Sequence, residues 1–148
     1  MALDILILNG PNLNLLGRRE PDIYGRTTLA DIEAICRDEA ARLGRAIEFR
    51  QSNSEGELIA WVQDVPGHFA GLILNAGAYS HTSVALLDAL RTLDVPLIEV
   101  HLSNIYRREH FRHLSHVSLA ATGVICGFGP QGYQVALRAL AAMLRDAP

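Results

Sequence analysis

The sequence contains no lysine, and all 13 of its basic residues are arginines. This absence excludes mechanisms in which a lysine amine forms an imine with a carbonyl substrate or with pyridoxal phosphate. It also excludes the P-loop class of nucleotide-binding proteins, because that motif places a lysine on the phosphates. A reaction at a carbonyl group would therefore have to proceed without a covalent lysine intermediate.

Cysteine is scarce and long apolar runs are absent. Cys36 and Cys126 are too few for a disulfide framework and lack metal-binding spacing, so we expect two small core residues. No apolar run approaches the ~20 residues of a membrane span. The chain starts Met-Ala-Leu-Asp, without the basic segment of a signal peptide. These features predict a cytoplasmic protein without a membrane partner.

The charge balance is slightly acidic, with a formal net charge of −3. This argues against nucleic acid as a partner, since nucleic-acid-binding domains are usually basic. The 148 residues are 49% hydrophobic and 20% charged, which predicts one globular domain over residues 1–148.

Apolar runs alternate with amphipathic segments along the chain, which is typical of a parallel sheet covered on both faces. The predicted strands are residues 3–9, 46–51, 71–75, 96–102 and 122–127. The predicted helices are residues 28–43, about 54–66, 82–93 and 130–145. Five such strands favour an α/β, flavodoxin-like three-layer sandwich with strand order 2-1-3-4-5.

A ligand crevice is expected beyond the carboxyl ends of these strands, at the switch between strands 1 and 3. The sequences that reach this edge are Asn9-Gly-Pro-Asn12, Asn75-Ala-Gly77, His101-Leu-Ser103 and Gly127-Phe-Gly129. The first of them opens a loop, residues 10–26, that lacks a clear helix or strand pattern. Loops of this length inside a compact domain are usually functional or disordered, and we interpret this one as a lid.

Two groups of residues could carry acid–base chemistry. Glu99 and His101 are two apart on a strand, so both side chains point to one face, and a carboxylate there would keep an imidazole protonated and oriented. The alternative is a structural pair that bonds to neighbouring loops. Tyr24 on the lid would need its reference pKa of ~10 brought near 7 to act as a base, for which Arg18 or Arg19 is placed. From spacing alone Tyr24 could equally pack the lid.

Two further motifs have simpler explanations. His110, His113 and His116 have a spacing that could bind a metal on a helix, but nearby arginines disfavour a cation. A basic segment facing an anion and a solvated basic surface both remain open. The G-x-G-x-x-G match in Gly127–Gly132 follows the last strand, where no later strand can supply a ribose-binding acid, so a tight turn is the better interpretation.

An ordered series of segments nevertheless resembles type II 3-dehydroquinase (3-dehydroquinate dehydratase), and the match covers nearly the whole chain. These segments are Asn9-Gly-Pro-Asn-Leu-Asn14, Leu16-Gly-Arg-Arg-Glu-Pro21, Tyr24-Gly25, Gln51-Ser-Asn53, Glu55-Gly-Glu57, Asn75-Ala-Gly-Ala-Tyr79, His81-Thr-Ser83, Ile98-Glu-Val-His-Leu-Ser-Asn104, Gly127-Phe-Gly129 and Gly132-Tyr133. That family has a flavodoxin-like fold and converts 3-dehydroquinate to 3-dehydroshikimate without cofactor or metal.

The resemblance implies a role for each matching residue. Tyr24 would be the base that removes the C2 proton, with Arg19 holding it as tyrosinate and Asn12 supporting the enolate oxygen. His101, oriented by Glu99, would protonate the departing hydroxyl. The residues implied to bind the substrate are Asn75, Ser103 and the Leu102 N–H for its carboxylate, His81 and Arg112 for its hydroxyls, and Asp88 from a neighbouring subunit of a dodecamer.

The chain departs from the family pattern at Ser54, Leu87, Tyr106, Arg107 and Leu119, none of which is assigned to chemistry. A non-catalytic flavodoxin-like module is the rival interpretation. A response regulator would need acidic residues after strand 1 and a lysine after strand 5, and a flavodoxin would need a Ser/Thr-rich phosphate loop after strand 1. An inactive homologue of the enzyme is a third possibility that only an assay excludes.

Overall fold

The apolar runs form a parallel sheet in the computed structural model, which describes residues 4–18, 22 and 25–146. Within these residues the sheet has five strands in the order β2-β1-β3-β4-β5, and the predicted topology is confirmed. The strands are β1 Ile5–Asn9, β2 Ile47–Gln51, β3 Gly71–Asn75, β4 Leu97–His101 and β5 Gly123–Cys126.

The register of the sheet brings the polar strand ends together. Asn9, the last residue of β1, lies opposite Asn75, the last residue of β3. On the other side of β3, Leu74 lies opposite Glu99 of β4. The loops that follow these three strands therefore leave the sheet at one edge, as expected for parallel strands.

The helices cover both faces of the sheet. They are α1 Leu29–Leu43, α2 Glu55–Gln63, α3 Val84–Leu90 and α4 Gln131–Asp146. Thr28 and Asp31 form a capping box at the start of α1, and Gly44 ends that helix in the left-handed region with φ 67°. The Ser83 hydroxyl caps α3 and accepts the Leu86 N–H at the start of that helix.

Alternate residues of β1 enter opposite cores, because strand side chains alternate between the two faces. Ile5 and Ile7 pack in the core that includes α1 and α4. Leu6 and Leu8 pack in the core that includes α2 and α3. Cys36 is fully buried in the first core, and burial raises the pKa of its thiol to about 12, so it is the core residue predicted.

The structure differs from the sequence prediction at helix ends and in the loops. Helix α2 ends at Gln63, short of the predicted end near residue 66. Helix α3 ends at Leu90, three residues earlier than predicted. The loop after β1 contains a 3-10 helix, Leu13–Leu15, where no helix was predicted. Between β4 and β5 the chain forms three further short 3-10 helices, Ile105–Arg107, His110–Arg112 and Val117–Leu119.

The glycine motif after β5 forms a tight turn, as predicted. Gly127 has φ 96°, and a Cβ there would lie 3.1 Å from the Asn104 Cβ. No helix in the described ranges is long and apolar enough to cross a membrane.

Candidate active site

A cleft opens at the carboxyl edge of the sheet, above β1, β3 and β4. The side chains and backbone that line it come from the last residues of β3 and β4 and from the three loops leaving those strands. They are Pro11, Asn12, Leu13, Asn75, Gly77, Ala78, His81, His101, Leu102, Ser103, Ile105, Arg108 and Arg112. The cleft includes the predicted switch point between strands 1 and 3. The prediction was wrong for strand 5, because among the described residues none of Gly127–Gly129 lines the cleft.

The loops after β1 and β3 touch each other closely at the floor of the cleft. A Cβ at Gly10 would lie 2.4 Å from the Ala76 carbonyl oxygen, so only glycine fits there. Asn12 follows with φ 69°, and its backbone N–H donates to Asn53 Oδ1 at 3.0 Å. This contact joins the start of the loop after β1 to the loop after β2.

A buried network of amides and one phenol holds Asn75 in place. The Tyr133 hydroxyl donates to Asn9 Oδ1 at 2.6 Å and accepts from Asn75 Nδ2 at 2.9 Å. Asn75 Oδ1 accepts the Gly77 N–H at 3.2 Å. One N–H of the Asn75 amide therefore remains for a ligand in the cleft.

Glu99 and His101 form a buried pair at the end of β4. Nε2 of His101 is hydrogen-bonded to Glu99 Oε2, and His101 lines the cleft while Glu99 is fully buried beneath it. Burial alone would raise the pKa of Glu99. Hydrogen bonds from His101, Ser115 and Ser118 outweigh burial and hold that pKa below its ordinary value.

His81 stacks beside this pair and has a defined tautomer. Its ring centroid lies 6.1 Å from that of His101, and Nδ1 lies 2.8 Å from the Leu114 carbonyl oxygen. Because a carbonyl can only accept, Nδ1 carries a proton. Burial lowers the pKa of His81, and electrostatic interactions with His101 and Arg112 lower it further. The neutral ring therefore presents Nε2 as an acceptor.

Two arginines form a positive wall of the cleft. Arg108 Nη1 donates to Ser103 Oγ at 3.3 Å, and Arg112 Nε donates to Glu109 Oε1 at 3.1 Å. Their guanidinium groups are partly shielded from solvent, with side chains 13% and 18% exposed. Guanidinium groups at such a position are suited to a carboxylate or another anion. The cleft thus combines anion-binding groups with a carboxylate-supported imidazole.

Comparison with known proteins gives a consistent result. A family model for dehydroquinase class II matches residues 3–141. A 3-dehydroquinate dehydratase of Methylobacterium radiotolerans is 59% identical over 144 residues, or 97% of each chain. One from Brucella canis is 58% identical over 146 residues, which are 99% of this chain and 93% of its own. The chain belongs to the class II dehydroquinase family. Its members are type II 3-dehydroquinate dehydratases, which are lyases.

A solved structure agrees with this assignment. The crystal structure of a type II dehydroquinase from Propionibacterium acnes superposes with a TM-score of 0.89 at 46% sequence identity. The alignment covers 96% of this chain and 98% of that one. The predicted flavodoxin-like architecture is thereby confirmed for this dehydroquinase.

The structure brings most of the predicted site residues of the dehydroquinase together. Those that line the cleft are Asn12, Asn75, His81, His101, Leu102, Ser103 and Arg112. Glu99 lies directly beneath His101. Asp88 is exposed on α3 and does not line the cleft of its own chain. Arg19 and Tyr24 lie outside the described residues.

Four residues of the site were not assigned by sequence reasoning. Arg108 is one of the arginines near the histidine motif and was given no role, and Tyr133 was named only as part of a matching motif. Both contact predicted ligand-binding residues. No motif or spacing in the sequence pointed to a role for Ser115 or Ser118. They meet Glu99 only because the chain between β4 and β5 folds back over that strand.

The remaining predictions concern residues at the rim. Tyr106 and Arg107, which depart from the family pattern, are exposed and do not line the cleft. Leu87 is buried beside Asp88. His110 and His113 meet edge to face with ring centroids 5.2 Å apart. No group of three or more metal-ligating side chains comes together in the described ranges.

Proposed function

We propose that this chain dehydrates 3-dehydroquinate to 3-dehydroshikimate by anti elimination through an enolate. The observation that carries the proposal is the buried Glu99–His101 pair at the base of a cleft with two arginines. This arrangement supplies a proton donor beside a site for a carboxylate. Family membership and the printed names of the relatives support the same substrate.

The substrate carboxylate would bind between Asn75, Ser103 and the Leu102 N–H. Asn75 retains one amide N–H for it, because the rest of its amide bonds to Tyr133 and Gly77. Ser103 Oγ accepts from Arg108, which leaves the hydroxyl proton free to donate to a carboxylate oxygen. Charge on Arg108 would strengthen that hydrogen bond.

The ring hydroxyls of the substrate would contact His81 and Arg112. Nε2 of the neutral His81 ring can accept a hydrogen bond from a hydroxyl, while the guanidinium of Arg112 can only donate hydrogen bonds. His81 would therefore accept a hydrogen bond from one hydroxyl, and Arg112 would donate a hydrogen bond to another. That difference would set the orientation of the ring above His101.

His101 would act as the general acid that protonates the departing C1 hydroxyl. Nε2 is bonded to Glu99, so Nδ1 is the nitrogen available to the substrate. Glu99 would hold the ring as imidazolium and fix its rotation. After the proton leaves, the neutral ring still carries the Nε2 proton toward the carboxylate.

Tyr24 would be the base that removes the proton on C2, alpha to the ketone. Arg19 would stabilise its tyrosinate form and Asn12 would support the enolate oxygen, through a water. Support for Tyr24 and Arg19 comes from the resemblance, and Asn12 lines the cleft as this role requires. No cofactor or metal is needed, since enolate formation requires only a base and anion stabilisation.

We further propose that the enzyme assembles as a homododecamer, a tetramer of trimers, in which Asp88 reaches a neighbouring site. Asp88 is exposed on α3, one helical turn after Val84, which is 54% exposed. An exposed apolar side chain on the same face suits a subunit contact. The reaction would serve aromatic amino acid biosynthesis through the shikimate pathway, or quinate catabolism, in the cytoplasm.

Formation of the conjugated enone product from 3-dehydroquinate tests the activity directly, by its ultraviolet absorbance. We expect the purified protein to produce this absorbance without added metal or cofactor, and a His101→Ala variant to lose it. A Tyr106→Phe variant, changed at the rim, is the matched control and should retain activity. A folded wild-type protein that produces no enone would overturn the proposed function.

A further inference from the structure

The carboxylate of Glu99 is surrounded by hydroxyl donors that the mechanism above does not use. Ser115 Oγ donates to Glu99 Oε2 at 2.6 Å, and Ser118 Oγ donates to Oε1. His101 bonds to Oε2 as well, so each carboxylate oxygen accepts at least one hydrogen bond. Ser115 is buried and Ser118 is half-buried. Both serines belong to the segment between β4 and β5, away from the cleft lining.

A buried carboxylate and imidazole can share their proton in two ways. In the charged form Glu99 is ionised and His101 is an imidazolium that carries protons on both ring nitrogens. In the neutral form the Nε2 proton has moved to Glu99 Oε2, and the ring keeps a proton on Nδ1 alone. A neutral imidazole is a far weaker acid than an imidazolium, so only the charged form provides a competent proton donor.

Burial favours the neutral form, because both charges lose their hydration together. Hydroxyl donors favour the charged form, because hydrogen bonds to an ionised carboxylate are stronger than those to a carboxylic acid. The other ionisable groups near the pair are His81, which is neutral, and Arg112 beyond it. Neither is hydrogen-bonded to Glu99 within the described ranges, so Ser115 and Ser118 are the donors that stabilise its ionised carboxylate besides His101.

We propose that Ser115 and Ser118 are positioning residues that keep Glu99 ionised, so that the proton shared by the pair stays on His101. Their catalytic effect rests on the proposed role of His101 as the acid. Their effect on the proton itself does not depend on any substrate.

Infrared spectroscopy of the intact oligomer tests where the proton lies, because a protonated carboxyl group has its own carbonyl stretch. We expect a Ser115→Ala/Ser118→Ala variant to show this band and the wild-type protein to lack it. Adding Glu99→Gln should remove it again, which assigns the band to Glu99. A Ser80→Ala variant is the matched control: Ser80 is fully buried, and its hydroxyl has no hydrogen-bond partner among the residues described.

The accompanying activity assay separates positioning from folding. Each lost hydroxyl is expected to lower kcat by about tenfold or more, with a smaller change in KM, because a hydrogen bond to a charged group is removed. Ser118→Thr keeps the hydroxyl and should show near wild-type kcat and no new band. If the double variant does not fold, Ser115→Ala and Ser118→Ala individually give the same comparison.

The proposal is overturned if a folded variant lacks the band, whatever its kcat, or if wild type already shows a band that Glu99→Gln removes. It is also overturned if Ser118→Thr behaves like Ser118→Ala. Failure of the proposed function would look different. In that case the wild-type protein would not dehydrate 3-dehydroquinate, while the serine variants would still produce the Glu99 band.

Discussion

The Tyr133 hydroxyl accepts a hydrogen bond from the Asn75 amide at 2.9 Å, in the fully buried centre of the fold. The direction of this bond is determined by groups at both ends of the network. Asn9 Nδ2 donates to the Arg50 carbonyl at 3.0 Å, so Asn9 Oδ1 must face Tyr133 and accept its proton. The Gly77 N–H donates to Asn75 Oδ1 at the other end. The amide of Asn75 is therefore held in one orientation.

Tyr133→Phe tests this network. We expect KM for 3-dehydroquinate to rise by about tenfold while kcat changes less, because the Asn75 amide loses its fixed orientation. Unfolding by denaturant should show a loss of about 1–3 kcal/mol, since two buried amide groups lose a partner. Tyr79→Phe is the control: its hydroxyl makes an exposed hydrogen bond to the Asn53 carbonyl, and its loss should cost less. Equal costs for the two variants would contradict the prediction.

Tyr24→Phe is expected to lower kcat by roughly 10²–10⁴-fold, the range for loss of a general base. Substrate binding should be largely unchanged, because the ring remains and only the proposed proton acceptor is removed. Steady-state kinetics with the enone assay measures both quantities. A variant with near wild-type kcat would show that another group removes the C2 proton.

His101→Ala should abolish most turnover, and Glu99→Gln should reduce it less. His101 faces the cleft and is proposed to donate the proton, whereas Glu99 is proposed to act only through the charge and orientation of that ring. The comparison requires kcat for both variants under the same conditions. If Glu99→Gln were the more damaging change, the two roles would be reversed.

The reaction should be insensitive to borohydride in the presence of substrate, because the chain has no lysine to form a reducible imine. The base is proposed on the lid loop and the acid at the end of β4, so they can approach the substrate from opposite faces. We therefore expect stereospecifically deuterated substrate to report anti loss of proton and hydroxyl. Inactivation by borohydride only when substrate is present, or syn loss of the label, would contradict the mechanism.

Light scattering should give a mass many times the 16.2 kDa of the chain. A shared site predicts complementation: Asp88→Ala and Tyr24→Phe chains, each poorly active alone, should regain activity when they assemble together. A mixed oligomer contains some sites with both Tyr24 and a neighbour's Asp88 intact. Full activity in a monomeric wild type would refute both parts of the assembly proposal.

The sequence alone determined the strands, their order and the local helix caps. Residues 5–8 and 71–74 are continuous apolar runs, and such runs are stable only when both faces of a strand are buried. The Thr28–Asp31 capping box could be predicted because it joins residues three apart. The polar residues at strand ends followed from topology, since parallel strands end at a common edge.

Only the tertiary structure decided which side chains support those at the cleft. Tyr133 and Asn9 are 124 residues apart, and Ser118 and Glu99 are 19 apart. Neither contact follows a helical or strand period. Each depends on where α4 and the segment between β4 and β5 pack against the folded sheet. Local periodicity does not encode that placement, because it results from the packing of the whole core.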